Sequence, residues 1–486
     1  MSYRKSLSWL GTAQIASFTL QFGFSVVLAR YLTPYEMGIY AVATALVGVL
    51  SIIQQVSLPA LIVREQEITE DFTRTAFTVN AVLTLLLSLA IAGASVLGGA
   101  ALRAPGVRDV LLVLAVTPLF GIFSFLPMAH LEREGHFKEL ALIATAANIV
   151  SAAVGVGLIV SGFGYMSIAY AQLASAAAMA LLGGYAGRHH ARYRMGLRSW
   201  RRILEFSVQM LAVAGIHGIG QRFSELLVGR LLGLSALGLY NRAAGLNNML
   251  WQNINFVVGR VVLVDFSDTH RRGLPLRDRY LQTVAVVTAV LWPAFAGLAI
   301  VARPFVVLVY GQRWTPAVGP FVFLALTSIL LSSITMTWEL FTSTGRLREQ
   351  TRLETIRATV GFALFAIGCT IGLEAAAASR ALEALFAIWL YRPYLNSMTG
   401  TVGRDFVRIY LQSALVTLFA IAPAAALMLA ERSAIPSVPL LVGAIGLGVA
   451  SWIAGLALVA HPLLREIRLV VAAAMRRVRP ARAPIP

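Results

Sequence analysis

The chain is a succession of long apolar segments separated by short polar connections. Fourteen of these segments approach or exceed the roughly 20 apolar residues that a helix needs to cross a bilayer. Open sheets do not occur in lipid, and the sequence lacks the alternating ten-residue pattern of a membrane barrel. The pattern therefore predicts an all-α integral membrane protein. The predicted helices span 8–29, 38–63, 74–99, 108–130, 139–161, 166–187, 201–229, 236–264, 279–302, 316–343, 353–373, 376–396, 407–430 and 438–460.

Basic residues are distributed unequally between alternate connections. The N-terminus, every second connection and the C-terminal tail hold 28 Lys and Arg residues, whereas the other connections hold 8. Because cytoplasmic segments carry the excess of positive charge, this bias predicts an even number of helices with both termini in the cytoplasm. The most basic internal segment, 187–202, is expected to be a solvated cytoplasmic loop. Its residues His189 and His190 have no neighbours that would complete a metal site.

The composition supports this interpretation and excludes several classes of protein. Charged residues make up only 13% of the chain, about half the share in soluble proteins. The formal net charge of +18 is explained by loops that face anionic lipid, and no nucleic-acid module accompanies it. The single cysteine, Cys369, excludes an internal disulfide, and no G-x4-G-K-[ST] phosphate-binding loop occurs. We therefore predict no cofactor. The first apolar segment is too long for a signal-peptide core and is expected to be a retained helix.

One motif occurs twice, 200 residues apart. Residues 30–40 read RYLTPYEMGIY and residues 230–240 read RLLGLSALGLY, so the skeleton R-x-L-x5-G-x-Y recurs. Four identities that include Arg and Gly favour an internal duplication over chance similarity between apolar helices. An even number of helices per copy gives both copies the same orientation, related by an axis along the membrane normal. The predicted organisation is a six-helix bundle at 1–187, a basic cytoplasmic linker at 188–200, a second six-helix bundle at 201–396, two additional helices at 397–460 and a basic cytoplasmic tail at 461–486.

Four motifs in a fixed order resemble a known family. They are LARYLTPYEMGIYAVATAL at 28–46, QQVSLPALIVREQEITEDFTRTAF at 54–77, HLEREGHFKELALI at 130–143 and YGQRWTPAVGPF at 310–321. This set resembles the bacterial polysaccharide exporters of the Wzx type, which are flippases for lipid-linked oligosaccharides in the multidrug/oligosaccharidyl-lipid/polysaccharide (MOP) superfamily.

The resemblance implies a fold, a substrate and a location. It implies two six-helix bundles around a central cavity, in a MATE-like arrangement, often followed by two further helices. The implied substrate is an oligosaccharide on an undecaprenyl-pyrophosphate carrier, moved across the bacterial inner membrane. The implied partners are membrane lipids and polysaccharide polymerase machinery, and nucleic acid is not among them.

The implied substrate directs attention to Arg and amide side chains within the predicted helices. In the seventh helix, His217, Gln221 and Glu225 recur at four-residue spacing and share one face. Arg222 lies beside them, and an intramembrane Arg normally faces a cavity or a partner. Two interpretations stay open, because Arg222 either binds the diphosphate or pairs with Glu225 within the helix. Gln21 belongs to a narrower polar stripe in the first helix.

The eighth helix has the densest group of amides. Asn248, Gln252 and Asn255 share one face and are predicted to bind glycan hydroxyls, although membrane amides also join neighbouring helices. Arg242 and Arg260 lie near opposite ends, where each either binds substrate or reaches an interface. The predicted substrate-binding residues are thus Arg222, Arg242, Arg260, Gln21, His217, Gln221, Asn248, Gln252 and Asn255.

Few carboxylates lie inside the predicted helices. Glu225 and Glu339 are the candidates for binding a coupling proton or sodium ion. Glu383 is expected to pair with Arg380, three residues before it. No catalytic residue and no metal-binding set is predicted.

These observations predict a flippase that works by alternating access rather than an enzyme. Two alternatives from the same superfamily are a lipid II flippase and a drug/cation antiporter, although an antiporter would favour intramembrane acids over Arg. A membrane polysaccharide polymerase or ligase, from a different class, would need a large outer loop. No predicted outer connection exceeds about fifteen residues, which is shorter than the loop that such an enzyme would need. A passive scaffold is the remaining alternative.

Overall fold

The computed structural model describes residues 18–51, 58, 61–62, 68–102, 104–190, 194–198, 200–201, 203, 220, 222–430 and 437–464. The regular structure in these ranges consists of α-helices and short 3-10 turns, which confirms the all-α prediction. The α-helices are α1 (18–31), α2 (Pro34–Leu50), α3 (Glu70–Leu102), α4 (Pro105–Arg133), α5 (Phe137–Val160), α6 (Met166–Ala186), α7 (222–231), α8 (Leu234–Arg271), α9 (Arg277–Ile300), α10 (Ala302–Val309), α11 (Val318–Ser332), α12 (Thr337–Ser343), α13 (Leu347–Ile371), α14 (Leu373–Thr399), α15 (Gly403–Ala430) and α16 (Val438–Leu458).

Many of these helices are long and apolar enough to cross a bilayer. Within the described ranges, nine segments meet both conditions. They are Glu70–Val96, Pro105–Arg133, Phe137–Val160, Met166–Ala186, Arg277–Ile300, Gln312–Ser343, Leu347–Ile371, Gly403–Ala430 and Val438–Leu458. The protein is therefore a multi-pass membrane protein. The predicted total of fourteen spans stays a prediction, because parts of the first, second and seventh predicted helices lie outside the described residues.

The chain divides into two compact units, Met1–Asn241 and Arg242–Pro486. In the first unit, Phe72, Leu126 and Ile203 belong to one buried cluster, and Leu32 belongs to another with Ile159. Burial of such side chains contributes about 1.5–3 kcal/mol each. The boundary between the units falls inside α8, whereas the predicted bundle boundary lies at 188–200. The division into two six-helix bundles stays a prediction.

In the second unit, the last two helices pack on α9 and α10. Ala289 of α9 is buried with Val416 of α15 and Leu456 of α16, and Trp452 Nε1 donates to the Ala289 carbonyl oxygen at 2.9 Å. Thr288 and Ser413 join α9 to α15 through a buried hydroxyl–hydroxyl bond of 2.8 Å. The apolar and polar contacts together fix the additional helices to this unit.

One predicted helix, 316–343, is interrupted in the structure. It is divided into α11 and α12 by residues 333–336, where Met336 has a left-handed φ of 58°. The Ser333 carbonyl at this break accepts hydrogen bonds from Tyr410 Oη at 2.8 Å and Arg392 Nη2 at 3.3 Å. These donors replace helical bonds that the break removes. The predicted span is present in the structure but is divided into two helices. The short helix α10 was not predicted.

Candidate functional site

The two copies of the repeated motif lie against each other within the first unit. A Cβ atom on Gly38 would overlap the carbonyl oxygen of Leu234, and one on Gly238 would overlap the carbonyl oxygen of Pro34. The starts of α2 and α8 therefore approach backbone to backbone. Only glycine permits this separation, which explains why the motif repeats a glycine at this position.

The first copy has a well-defined helix start. Pro34 occupies the first turn of α2, and Thr33 Oγ1 accepts from the Glu36 backbone N–H at 3.3 Å. The Glu36 carboxylate accepts in return from the Thr33 backbone N–H at 2.9 Å. This capping box satisfies two N–H groups at the helix start and fixes the turn that presents Gly38.

Arg222 is the described Arg that best matches the predicted site. Its Nη1 donates to Glu225 Oε2 at 3.1 Å, which is the within-helix pair of one of the two interpretations that the sequence leaves open. Its stem crosses α2 at Gly48, where a Cβ would lie 2.5 Å from Arg222 Nε. The side chain of Arg222 stays 40% exposed, whereas that of Glu225 is 11% exposed. The guanidinium is thus held in place and accessible, and its contact with a diphosphate stays a prediction.

The other predicted polar residues that the structure describes lie on α1 and α8. Gln21 and Gln252 are exposed, on α1 and α8, and Asn248 is half-buried on α8. The neighbouring Asn247 joins α8 to α11, because its Oδ1 accepts from Ser328 Oγ at 3.1 Å. This last bond is the helix–helix role that membrane amides commonly have.

Several predicted residues lie outside what the structure describes. His217 and Gln221 fall between the described ranges. Asn255 and Arg260 fall within the backbone of α8, but their side chains lie outside the described part. Their predicted contacts with substrate stay predictions.

Arg242 is buried between two aromatic rings. Its Cζ lies 4.8 Å from the ring centroid of Tyr310 and 4.8 Å from that of Trp314. Both rings come from the YGQRW stretch that precedes α11, and only 8% of Arg242 is exposed. Cation–π attraction of this kind stabilises a desolvated guanidinium. The geometry favours a packing role, and the predicted substrate contact of Arg242 stays untested.

Glu339 follows the break between α11 and α12 by three residues. It is half-buried, and a Cβ on Gly259 of α8 would lie 2.8 Å from its Oε1. Gly259 therefore leaves room for the carboxylate.

No group of three or more potential metal ligands occurs among the residues that the structure describes.

A buried charge cluster joins α13 to α14, and most of it was missed from the sequence. Arg380 Nη1 lies 2.7 Å from Glu383 Oε2, which confirms the predicted pair. Arg357 contacts the same carboxylate at 3.3 Å and forms a bidentate pair with Glu354. Tyr391 Oη donates to Glu354 Oε2 at 2.8 Å. The signal in the sequence was a second Glu and Arg three residues apart, in the helix before Arg380.

The family follows from comparison with known sequences. Residues 27–319, more than half of the chain, match the family described as polysaccharide biosynthesis protein. The chain belongs to this family. The resemblance predicted from the four motifs is therefore confirmed.

Two curated relatives of this family member are named for polysaccharide synthesis. Lipopolysaccharide biosynthesis protein WzxC of Escherichia coli (strain K12) is 25% identical over 339 residues, covering 67% of this chain and 66% of that protein. Succinoglycan biosynthesis transport protein ExoT of Rhizobium meliloti (strain 1021) is 26% identical over 333 residues, covering 68% and 66%. The chain thus matches slightly less than two-thirds of the length of these relatives.

Solved structures identify the fold of this family member. The lipid II flippase MurJ in an inward closed conformation aligns with a TM-score of 0.72 at 14% identity, covering 92% of this chain and 98% of that one. An inward-facing multidrug resistance MATE family transporter of the MOP superfamily aligns with a TM-score of 0.55 at 14% identity, covering 79% and 96%. The predicted MATE-like fold class is confirmed.

Proposed function

We propose that this protein is a flippase for undecaprenyl-pyrophosphate-linked oligosaccharide and not an enzyme. It moves the substrate from the cytoplasmic to the outer leaflet of the bacterial inner membrane for polysaccharide synthesis. The fold of MurJ and MATE transporters supports this proposal, as do relatives named for lipopolysaccharide biosynthesis and succinoglycan transport. Both termini are cytoplasmic in this proposal, as the charge bias predicts, and polymerase machinery is a proposed partner.

The observation that carries the proposal is the placement of Arg222. A cation inside an otherwise apolar region is costly unless it serves a partner, by about 2.5–3.5 kcal/mol on insertion scales. Glu225 binds one guanidinium nitrogen, while 40% of the Arg222 side chain is accessible. A diphosphate has the charge and the oxygen geometry that such a group binds. In our proposal Arg222 holds the diphosphate and, as a separate assignment, the amides predicted on α8 bind glycan hydroxyls.

The contact between the repeated turns provides the proposed outer gate. Transport by alternating access requires a closed outer side in one state and an open outer side in the other. The backbone approach at Gly38 and Gly238 closes the space between the two turns. In our proposal this contact separates when substrate leaves toward the outer leaflet.

Flipping is tested with the purified full-length protein in sealed liposomes. A fluorescent lipid-linked oligosaccharide is distributed over both leaflets, and a membrane-impermeant reductant bleaches the accessible leaflet. We expect the protein to expose the protected pool to bleaching, while a labelled phospholipid stays protected. A protected oligosaccharide pool in liposomes that hold folded protein would refute the proposal.

The gate is tested by Gly38→Ala and Gly238→Ala. Each added methyl overlaps a carbonyl oxygen of the other turn, so the closed outer state is disfavoured and flipping falls. Gly245→Ala is the matched control on α8, because a methyl added there would meet no atom within 4 Å. Flipping by the two gate variants at the rate of the control would contradict the gate.

Lipid II is the second candidate substrate. The TM-score of 0.72 with MurJ favours it at the level of fold only. Labelled lipid II is therefore included as a separate arm of the liposome assay. Bleaching of the lipid II pool without bleaching of the oligosaccharide pool would select this alternative.

A further inference from the structure

The basic linker is attached to the start of α3 along one side. Arg194 Nη1 lies 3.5 Å from Glu70 Oε1, and Arg198 Nη1 lies 3.1 Å from Asp71 Oδ2. Between them, the Gly196 backbone N–H donates to Thr78 Oγ1 at 2.9 Å. Three alternate residues of an extended segment therefore face α3.

The intervening residues point away from α3 and are apolar. Met195 is 77% exposed and Leu197 is 61% exposed. Alternation of this kind is expected of extended backbone, in which successive side chains project to opposite sides. Trp200 follows at 47% exposure, whereas Ile203 is fully buried against the core that includes Phe72. Residues 194–198 are thus attached to α3, while Met195, Leu197 and Trp200 expose large apolar side chains.

Cations accompany the exposed rings of this surface. Arg188 Cζ lies 5.6 Å from the ring centroid of Tyr185, which is 74% exposed at the end of α6. Arg201 Cζ lies 5.7 Å from the ring centroid of Trp200. The whole segment 187–202 contains six Arg, Arg188 included, and no acidic residue. Pairing of Arg194 and Arg198 with α3 therefore leaves a strong excess of positive charge.

The position of the linker indicates what covers it. It lies next to the last turn of α6 and the first turns of α3, and both helices have spans apolar enough to cross a bilayer. The ends of such helices lie at the level of lipid headgroups. Aromatic and basic side chains are enriched at that level, and Arg binds the negative headgroups of the cytoplasmic leaflet. The apolar side chains fit the boundary between headgroups and acyl chains.

We propose that the linker surface, defined by Tyr185, Arg188, Met195, Leu197, Trp200 and Arg201, is a docking surface for anionic phospholipid. The apolar side chains insert below the headgroups, and the guanidinium groups bind lipid phosphates. This inference does not rest on the proposed flippase activity. Its test therefore does not measure transport.

The test places a fluorophore on the linker of the full-length protein. Met195→Cys is made in a Cys369→Ala background, because Cys369 is the single native cysteine. The labelled protein is compared in nanodiscs of phosphatidylcholine and in nanodiscs that also contain phosphatidylglycerol. Quenching by brominated acyl chains reports insertion, and quenching by iodide reports exposure to water. Glu134→Cys, on the polar turn after α4, is the matched control.

We expect strong quenching by brominated lipid and a several-fold lower iodide quenching constant when phosphatidylglycerol is present. The Glu134→Cys label should stay accessible to iodide in both membranes. Arg188→Gln with Arg201→Gln should reduce the effect of phosphatidylglycerol while leaving the ion pairs to α3 intact. Equal results in the two membranes would refute specificity for anionic lipid. A Met195→Cys label protected from both quenchers would show that protein covers the surface, and would overturn the proposal.

Discussion

Two groups of Arg residues differ in how completely their charge is compensated. Among the described residues, Arg222 pairs with one carboxylate, Glu225, and keeps 40% of its side chain exposed. In the cluster between α13 and α14, Arg357 and Arg380 are 18% and 20% exposed and contact the same carboxylate, Glu383. The first arrangement leaves the cation accessible, and the second surrounds it.

The comparison gives a criterion that distinguishes an Arg that binds a ligand from an Arg that stabilises the fold. A buried charge is stable only when neighbours satisfy most of its hydrogen-bonding groups. The cluster meets this condition with two Arg, two Glu and Tyr391, and Arg380 also lies 4.1 Å from the Phe365 ring centroid. Arg222 does not meet it as fully. We therefore expect the cluster to determine stability and Arg222 to determine transport.

The largest expected effect is the loss of stability in Glu383→Ala. This change leaves Arg357 and Arg380 buried without their shared carboxylate, which costs about 3–5 kcal/mol of unfolding free energy. The control is Asp268→Ala, since Asp268 is 44% exposed and pairs with the exposed Arg272. Loss of such a pair costs at most about 1 kcal/mol. Denaturant unfolding in detergent measures both variants, and equal losses would contradict the contrast.

Arg222→Gln should affect transport more than folding. Loss of a charged hydrogen bond of about 1.5–3 kcal/mol corresponds to a roughly 10- to 150-fold lower flipping rate. The ion pair with Glu225 is partly screened, so unfolding should change by at most about 1 kcal/mol. Arg230→Gln, at the exposed end of the same helix, is the control for the liposome assay.

A double variant separates the two interpretations of Arg222. If Arg222 only neutralises Glu225, Arg222→Gln combined with Glu225→Gln should restore flipping. If Arg222 binds the diphosphate, the double variant should stay as slow as Arg222→Gln alone. Restored flipping would mean that Arg222, like the Arg residues of the buried cluster, compensates a carboxylate and does not bind substrate.

Arg242→Lys should have a smaller effect, on stability alone. The flat guanidinium lies near both Tyr310 and Trp314, and an ammonium group lacks its planar stacking surface. We expect a loss of about 0.5–2 kcal/mol in unfolding free energy, with flipping per folded molecule unchanged. A fall in flipping comparable to that of Arg222→Gln would instead place Arg242 at the substrate.

Local patterns in the sequence predicted the features that depend on nearby residues. Apolar runs identified the helices, and the three-residue spacing identified the pairs Arg380–Glu383 and Arg222–Glu225. The repeated motif predicted a duplication. It did not predict that Gly38 and Gly238 touch, because a motif that recurs along a chain does not show whether its two copies are in contact.

Features that depend on distant residues could not be predicted. Arg357 reaches Glu383 across 26 positions, and Arg242 meets the rings of Tyr310 and Trp314, which are far from it in the sequence. The break at Met336 is not marked by Gly or Pro, and the Ser333 carbonyl oxygen at the break accepts from Arg392 and Tyr410 of two other helices. These contacts exist only once the helices have packed.

The smallest expected effect tests whether the buried cluster is as fully compensated as its contacts indicate. Tyr391→Phe removes the hydroxyl that donates to Glu354 Oε2 at 2.8 Å, while the pair between Glu354 and Arg357 persists. We therefore expect a loss of only about 1 kcal/mol in unfolding free energy. Tyr394→Phe, on the next turn of α14, controls for removal of a hydroxyl outside the cluster. If Tyr391→Phe lost as much unfolding free energy as Glu383→Ala, Arg357 alone would not satisfy Glu354. The buried cluster would then be incompletely compensated, as Arg222 is.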